Sequence, residues 1–307
     1  MHVFLTIDTE LRWSTPEGRL SAGANYARSV EPAGVGLTYQ LKALARHGLK
    51  ATFFVDPMPA LAYGLDPVRR MVEPVLAAGQ EVQLHLHPCW HDPARFELID
   101  YAPAEQRALL EQAIDLLLQA GAPRPVAFRA GAYAANDATL ATLADLGLAY
   151  DSSHNGAWAP WPSQIGLPPA QIAPLRHAGI IEVPVTLIQD RPGRLRNAQI
   201  CALSAGELAA ALDHGIAHDH QALVLVGHSF ELANRAGTGA NAVHVRRFDA
   251  LCAMLAARRD AAPTAHFADH PALALDRADV PLPPSRWRTG RRQVEQLWSN
   301  LVAERAA

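Results

Sequence analysis

The sequence predicts an α/β protein, folded as a distorted (β/α) barrel of about seven strands. Short apolar, β-branched runs alternate with segments whose apolar residues recur at helical spacing, a pattern typical of parallel sheets. Five of the apolar runs end in reactive side chains. Because active sites of such barrels lie at the carboxyl ends of the strands, the pattern predicts an enzyme with its site at that rim.

The seven strands are predicted from apolar runs bounded by polar or turn-forming residues. In chain order they are HVFLTID (2–8), ATFFV (51–55), EVQLHLH (81–87), VAFRAG (126–131), AYDSS (149–153), IIEVPVTLI (180–188) and LVLVGHS (223–229). Between the fifth and sixth runs, residues 154–179 are predicted as a long proline-rich loop of the kind that often covers a site.

The helices are predicted from apolar spacing and from capping residues. One runs from near Leu37 to Gly48, and the strongest pattern covers 104–120. The others are 66–78, one after Asn136 or Asp137, 204–217 with Ser204 as its cap, and 242–258.

The composition excludes several classes of protein. A net charge of −3 gives no general reason to expect nucleic acid binding. No run reaches the roughly 18 apolar residues that span a bilayer, and no signal-like segment is present. The three widely spaced cysteines imply no disulfide framework. We therefore expect a soluble cytoplasmic protein without a membrane span.

The chain divides into a barrel domain, 1–280, and a C-terminal segment, 281–307. This segment begins with the linker-like PLPPS and continues as an amphipathic helix. Its apolar residues are Val294, Leu297, Trp298, Leu301 and Val302. We expect the helix to dock on its own barrel or on a second subunit, so a homo-oligomer is left open. The arginines ahead of it leave an anionic surface as the weaker alternative.

Paired acids and paired histidines form the first candidate site. Asp8 and Glu10 are two residues apart in a strand and so point to one side, as do His85 and His87. Two imidazoles and one carboxylate with an open position are a recurrent catalytic zinc site. The alternative is that HLHPCWH is only a histidine-rich loop in a chain with 14 histidines. His91 is the alternative ligand if His87 points away.

Two further strand ends carry candidate residues. Arg129 could hold a nearby carboxylate ionised and oriented, or could form an ordinary ion pair of the barrel. His228 has the unperturbed pKa of a general acid, but a buried structural histidine is the alternative. Asp151 and the two serines after it are equally typical of a turn. The sequence contains no nucleophile elbow, phosphate loop or dinucleotide fingerprint.

Six motifs together resemble one known family. TIDTE, ATFFV, EVQLHLHP, FRAGAY, YDSS and LVGHSFEL stand in the order of the polysaccharide deacetylase superfamily, the NodB-homology or carbohydrate esterase family four group. The resemblance covers roughly residues 1–270, and the HLHP-x-W and HSFEL variants are most similar to a branch associated with lipopolysaccharide or exopolysaccharide biosynthesis. It implies a NodB-type barrel that removes an N-acyl group, usually acetyl, from an amino sugar in a glycan or glycan precursor. It also implies a divalent metal, for which zinc is our expectation.

The resemblance also implies roles for individual residues. Asp8 matches the catalytic base, and Glu10 the metal-binding acid. His85 matches the first metal-binding histidine. Arg129 matches the arginine that orients the base, and His228 matches the general acid.

Two departures from the family pattern concern the metal. The metal-binding acid is usually an aspartate, whereas Glu10 is longer. The second histidine usually lies four residues after the first, where this chain has Cys89. His87 is the nearest substitute, and a thiol ligand at Cys89 stays open.

Three tryptophans are candidates for sugar-stacking platforms, with anchoring of the loops as the alternative role. They are Trp13, Trp158 and Trp161.

Three rival functions remain open. The first is a metal-dependent amidase acting on a small non-sugar amide. The second is a glycosidase using Asp8 and Glu10, which ranks low because neighbouring acids on one strand would flank a glycosidic bond poorly. The third is a degenerate carbohydrate-binding protein that has lost its metal.

Overall fold

The computed structural model describes residues 1–304, except for the side chain of Val302. Its main sheet has eight strands, in the spatial order β10 (Ala222–His228), β1 (His2–Thr9), β2 (Thr52–Val55), β3 (Glu81–Leu86), β4 (Ala127–Ala130), β5 (Tyr150–Asp151), β7 (Ile180–Glu182) and β6 (Leu175–His177). A separate hairpin joins β8 (Leu187–Arg191) to β9 (Arg194–Asn197). All neighbours in the main sheet are parallel except β6 and β7. The sheet curls into a half-barrel with helices outside it, as the sequence predicts.

The strands are β1 (His2–Thr9), β2 (Thr52–Val55), β3 (Glu81–Leu86), β4 (Ala127–Ala130), β5 (Tyr150–Asp151), β6 (Leu175–His177), β7 (Ile180–Glu182), β8 (Leu187–Arg191), β9 (Arg194–Asn197) and β10 (Ala222–His228). The helices are α1 (Ala22–Ser29), α2 (Leu37–His47), α3 (Ala60–Tyr63), α4 (Asp66–Ala77), α5 (Pro103–Gln119), α6 (Asp137–Asp145), α7 (Ala205–Ala217), α8 (Ala242–Ala257) and α9 (Arg286–Trp298).

Local signals account for the helix ends. Gly48 ends α2 with a φ of 60°, a left-handed conformation that glycine adopts without steric cost. Asn136 accepts a hydrogen bond from the backbone of Thr139 at the start of α6. Ser204 and Glu207 form a capping box at the start of α7, as predicted.

The structure differs from the predicted elements in three places. The predicted sixth strand is split into β7 and β8 around Pro184, because proline has no N–H to donate to a ladder. The predicted loop 154–179 contains β6, which pairs with β7 as an antiparallel edge. The polar stretch after β1 contains α1, which the sequence pattern missed.

Alternation along β1 separates two packing layers. Val3, Leu5 and Ile7 pack outward against the helices, whereas Phe4 belongs to a small cluster inside the half-barrel. Phe267 stacks on Phe4 with ring centroids 4.5 Å apart and fills the inside of the barrel. Thr6, Asp8 and the residues after them therefore lie progressively closer to the carboxyl rim.

Residues 186–200 lie beside β10, the first strand of the sheet. Thr186 donates its backbone N–H to Val224, and Ile200 donates to Val226. Ala198 accepts from the N–H of Val226. These bonds satisfy part of the exposed edge of β10 without a regular eighth parallel strand.

The C-terminal helix α9 contacts the barrel through its polar side. Arg292 pairs with Asp190 and Glu207, and Glu295 pairs with Arg247. The helix thus docks on its own barrel, one of the two expected partners, but by its polar side, and the large apolar side chains of α9 that the structure describes face solvent. The assignment of 1–280 and 281–307 as separate units stays a prediction. Within residues 1–304, no helix combines the length and apolar character needed to cross a membrane.

Candidate active site

Asp8 and Arg129 form a buried ion pair at the carboxyl end of the sheet. Arg129 Nη1 donates to Asp8 Oδ1 at 2.8 Å, and neither side chain is more than 5% exposed. Asp8 pairs in register with His228 on β10, and the second carboxylate oxygen lies 3.9 Å from His228 Nε2. Three residues from β1, β4 and β10 thus converge as the sequence predicts.

Arg129 is fixed by contacts on every side. Its Nη1 also donates to Thr6 Oγ1 at 2.8 Å, and its Nε donates to the Ser152 carbonyl at 3.2 Å. The Ser152 hydroxyl accepts from Nη2 at 3.2 Å, and the guanidinium lies 4.4 Å from the centre of the Phe54 ring. A guanidinium held this way keeps the attached carboxylate in one orientation.

The Asp151-Ser152-Ser153 turn therefore supports the site. Ser153 Oγ donates to Asp151 and accepts from the backbone N–H of Ala130, next to Arg129. Asp151 and Glu182 are both fully buried and close together. Burial raises the pKa of Asp151, although its hydrogen bond with Glu182 lowers it, and burial together with the charge of Asp151 raises the pKa of Glu182 well above its usual value.

His228 is contacted by the carboxylate of Glu231, which the sequence analysis did not single out. Glu231 Oε2 lies 3.6 Å from His228 Nδ1 and also accepts from the backbone N–H of His228 at 2.9 Å. Burial by itself lowers the pKa of His228, but Glu231 and Asp8 raise it to about 9. The imidazole is therefore a cation near neutral pH. Glu231 stands three residues after His228 in the HSFEL motif, and that spacing was the available signal.

Glu10, His85 and His87 form a compact cluster beside this pair. Glu10 Oε2 lies 2.6 Å from His87 Nε2 and 3.3 Å from His85 Nε2. One ligand atom from each residue falls within 4.8 Å of the others. The predicted pairing of the two histidines on one side of β3 is thus found, and the two imidazoles meet edge to face.

The donor chemistry of this cluster fits a bound divalent cation. His85 Nδ1 lies 2.7 Å from the carbonyl of Arg129 and donates to it, which leaves Nε2 facing Glu10. Glu10 Oε2 is buried but has no hydrogen bond of acceptable geometry. Burial opposes ionisation of Glu10, yet the two imidazoles hold its carboxyl pKa well below the usual range. One carboxylate and two imidazoles whose ligand atoms lie this close together are a recurrent donor set for a divalent cation such as zinc.

Close approach of His87 depends on Gly131. A Cβ at position 131 would lie 2.4 Å from His87 Nδ1, which is closer than atoms can pack. The next two residues, Ala132 and Tyr133, have positive φ angles of 52° and 59°. Non-glycine residues in this region store strain, which occurs preferentially at functional sites. The segment after β4 is therefore shaped to bring backbone against the imidazole.

The alternative ligands are placed differently. Cys89 is buried near the cluster but does not belong to it, and burial raises the pKa of its thiol. His91 is exposed and lines a separate cleft with Arg95. Asp56, which the sequence reading overlooked at the end of β2, is buried with Oδ2 unpartnered. Burial raises the pKa of Asp56 to about 6, although His87 and His85 lower it.

A cavity of about 320 Å³ opens beside the cluster. Glu10 and His87 lie on one side of it, and Trp13 and Trp90 on another. Trp158 and Trp161 are 50% and 60% exposed and do not line this cavity. Of the three tryptophans that the sequence suggested as platforms, only Trp13 is therefore placed at the cavity. Trp90, in the HLHPCW motif, was missed.

Comparison with known proteins finds a family similarity over part of the chain. A family model described as polysaccharide deacetylase matches residues 36–150, which include His85, His87 and Arg129. A peptidoglycan deacetylase-like protein of Gibberella zeae is 27% identical over 135 residues, and the match covers 43% of this chain and 37% of that relative. The chain thus spans little more than a third of that curated relative.

Solved structures share the fold. A Mycobacterium smegmatis protein assigned to the polysaccharide deacetylases superposes with a TM-score of 0.55 at 21% identity, covering 91% of this chain and 95% of that one. The 4-alpha-glucanotransferase of Thermococcus litoralis gives a TM-score of 0.54 at 10% identity, covering 88% of this chain and 40% of that one. At these identities the likeness concerns the fold alone. Over residues 36–150 the chain thus matches the polysaccharide deacetylase family model, and its fold is shared with a protein assigned to that family.

Proposed function

We propose that this chain is a metal-dependent hydrolase that removes an N-acyl group, acetyl in the simplest case, from an amino sugar in a glycan or glycan precursor. The observation that carries the proposal is the convergence of Asp8, held by Arg129, with the cationic His228, directly beside the Glu10–His85–His87 cluster. The printed name of the curated relative, a peptidoglycan deacetylase-like protein, supports a carbohydrate amide as the substrate class.

Glu10, His85 and His87 would hold the metal, and zinc suits one carboxylate with two imidazoles. When bound at such a site, a divalent ion polarises the acyl carbonyl and makes water a better nucleophile at neutral pH. Backbone contact between His85 Nδ1 and the Arg129 carbonyl fixes the ring that would present Nε2 to it.

Asp8 is proposed as the general base. Arg129 occupies only Oδ1, so Oδ2 remains available to accept a proton from the attacking water. Because Arg129 and Thr6 prevent rotation of the pair, the carboxylate stays aimed at the rim.

His228 is proposed as the general acid. Its Nε2 faces Asp8 across 3.9 Å, while Glu231 holds the opposite side of the ring. As the C–N bond of the amide breaks, the imidazolium would donate its proton to the departing amine. Asp8 would therefore act on the water that attacks the acyl carbon, and His228 on the amide nitrogen that leaves.

Acetate release from a panel of compounds tests this function. The zinc-loaded protein is assayed with N-acetylglucosamine oligomers, nucleotide-linked N-acetylated sugars and a non-sugar N-acetyl amine. We expect turnover of a sugar substrate, and a loss of about 10²- to 10⁴-fold in kcat for both Asp8→Asn and His228→Gln. Asp145→Asn, an exposed carboxylate on α6, is the matched control and should keep wild-type activity.

The panel also separates the rival functions. Turnover of the non-sugar amide alone would favour the small-molecule amidase. No bound metal after reconstitution, with saccharide binding retained, would favour the degenerate binding protein. Near-normal turnover in both the Asp8 and His228 variants would contradict the proposed roles.

A further inference from the structure

The helix α9 presents an unpartnered apolar face to solvent. Its large apolar side chains are between 57% and 75% exposed: Trp287, Val294, Leu297, Trp298 and Leu301. They recur at helical spacing on one side of the helix. A single exposed leucine is ordinary, but a stripe with two tryptophans on one helix is typical of an interaction surface.

The opposite face of α9 is held firmly by polar contacts. Arg292 Nη2 donates to Asp190 Oδ1 at 2.8 Å, and Arg247 pairs with Glu295 at 2.6 Å. At the end of the helix, Ser299 Oγ accepts from Asn241 at 3.0 Å. Arg292 and Ser299 are buried. Because these contacts fix the polar face inward, rotating the helix to bury the apolar stripe would break them.

Unneutralised arginines flank the stripe. Arg286, Arg288 and Arg291 of α9 and Arg246 of α8 are not within salt-bridge distance of any carboxylate in residues 1–304, unlike Arg292. Together with Trp287 and Trp298 they line a groove of about 890 Å³ against the start of α7. The surface therefore combines exposed aromatic area with clustered positive charge in a chain whose net charge is −3.

The apolar stripe and the positive charge of α9 indicate which kind of partner binds this face. A second copy docked through the same face would bring its arginines to a groove whose lining, within residues 1–304, contains one acid, Glu295, and that acid is already paired with Arg247. A bilayer that contains anionic lipid has negatively charged headgroups at its surface and an apolar interior beneath them. It therefore complements both the arginines and the apolar stripe of α9. We propose that α9 binds the surface of a bilayer containing anionic lipid, with its apolar stripe inserted at the interface and its arginines among the headgroups.

The position of α9 connects this surface with the cavity rim. Glu304, just beyond the helix, accepts from the backbone N–H of Arg235 at 2.9 Å. The carbonyl of Arg235 accepts from Arg12, which lines the cavity. Binding through α9 thus holds the loop after His228 close to the lipid surface.

Vesicle sedimentation with the full chain tests the proposal. Neutral phosphatidylcholine vesicles are compared with vesicles that also contain phosphatidylglycerol, at low and high salt. We expect at least tenfold tighter binding to the anionic vesicles, weakened by salt because exposed charges are screened. The Trp287→Ala, Trp298→Ala pair should lose this binding, and Arg286→Gln with Arg291→Gln should lose its anionic preference. The matched control, Trp158→Ala with Trp161→Ala, removes two tryptophans elsewhere that are also at least half exposed.

Circular dichroism establishes that each variant is folded, so a loss of binding reports on the surface. Equal binding by wild type and the α9 tryptophan pair would overturn the proposal, as would the absence of binding to anionic vesicles. A dimer in sizing that the same pair dissociates, without vesicle binding, would assign the face to a second copy instead.

Discussion

The two halves of the candidate site differ in how completely the protein satisfies them. In the Asp8–Arg129 half, the guanidinium donates to Thr6, Asp8 and Ser152, and every contact lies within the chain. In the Glu10–His85–His87 half, a buried carboxylate oxygen faces two imidazole nitrogens without an acceptable hydrogen bond. The first half is complete in the protein alone, whereas the second has the donor set that the proposed divalent cation would occupy. The proposed proton transfer by Asp8 and the proposed metal binding by Glu10, His85 and His87 thus depend on separate sets of contacts.

Breaking the complete half should cost the most stability. Arg129→Leu leaves Asp8 as a buried carboxylate without its partner, and we expect a loss of about 3–5 kcal/mol in the free energy of unfolding. Urea denaturation at neutral pH measures it. Arg107→Leu, which removes a surface pair with Glu111, is the control and should cost less than about 1 kcal/mol. Equal losses in the free energy of unfolding of the two variants would mean that the buried Asp8–Arg129 pair contributes no more to stability than a surface pair.

Gly131→Ala should disturb only the incomplete half. A methyl group at this position would collide with the His87 ring, so the imidazole must move away from Glu10. We expect zinc affinity, measured by competition with a chromophoric chelator, to fall about 10- to 100-fold, the usual range for disturbed ligand orientation. Gly23→Ala, where nothing lies near the new methyl, is the control. Unchanged affinity in Gly131→Ala would exclude His87 as a ligand.

Loss of the proton from His228 should determine the alkaline limb of the pH profile of kcat/KM. The raised pKa of His228, about 9, keeps the imidazolium available as an acid through neutral pH. Glu231→Gln removes a main cause of that increase, so the alkaline limb of kcat/KM should move down toward the ordinary histidine value of about 6.5. Glu105→Gln, an exposed carboxylate, should leave the limb in place. If Glu231→Gln leaves the pH profile of kcat/KM unchanged, titration of His228 does not determine the alkaline limb.

The same raised pKa has a consequence for stability. A histidine whose pKa is higher in the folded than in the unfolded state stabilises the fold fully below about pH 6.5. That contribution is lost as the pH rises through about 9. Glu231→Gln should therefore flatten the pH dependence of unfolding within this window.

The smallest expected effect concerns the cavity wall. Trp13 lines the cavity and packs edge to face on Phe96 at 4.7 Å. Trp13→Ala should raise KM for a sugar substrate about two- to tenfold, with kcat little changed, because an aromatic contact shared by ground and transition states is lost. Trp158→Ala, away from the cavity, should leave both constants unchanged. Equal effects of the two changes would remove Trp13 as a sugar platform.

The sequence predicts strand ends better than the contacts between them. Alternation and apolar runs are local properties, so β1, β3 and β10 fall within a residue of their predicted bounds. The i, i+2 spacing also placed His85 and His87 together, because side chains two apart share one face of a strand. Both signals are contained in a few consecutive residues.

Long-range features escaped prediction for a physical reason. The amphipathic pattern of α9 shows that two faces exist, but only the positions of Asp190, Glu207 and Arg247 decide which face turns inward. Asp56 carries no pattern that separates a site carboxylate from a surface one, and Glu231 has only its spacing from His228 as a signal. Their roles depend on burial, which the fold as a whole determines.

The pairing of β1 with β10 has a consequence for the order of assembly during synthesis. His2 pairs with Ala222, so one side of β1 stays open until residues 222–228 leave the ribosome. At about 5–20 residues per second, that wait is on the order of 10–40 s. The Glu10–His85–His87 cluster needs only β1, β2 and β3, which emerge early, whereas His228 reaches Asp8 near the end. A nascent chain could thus bring the three proposed metal ligands together well before His228, the proposed general acid, reaches Asp8.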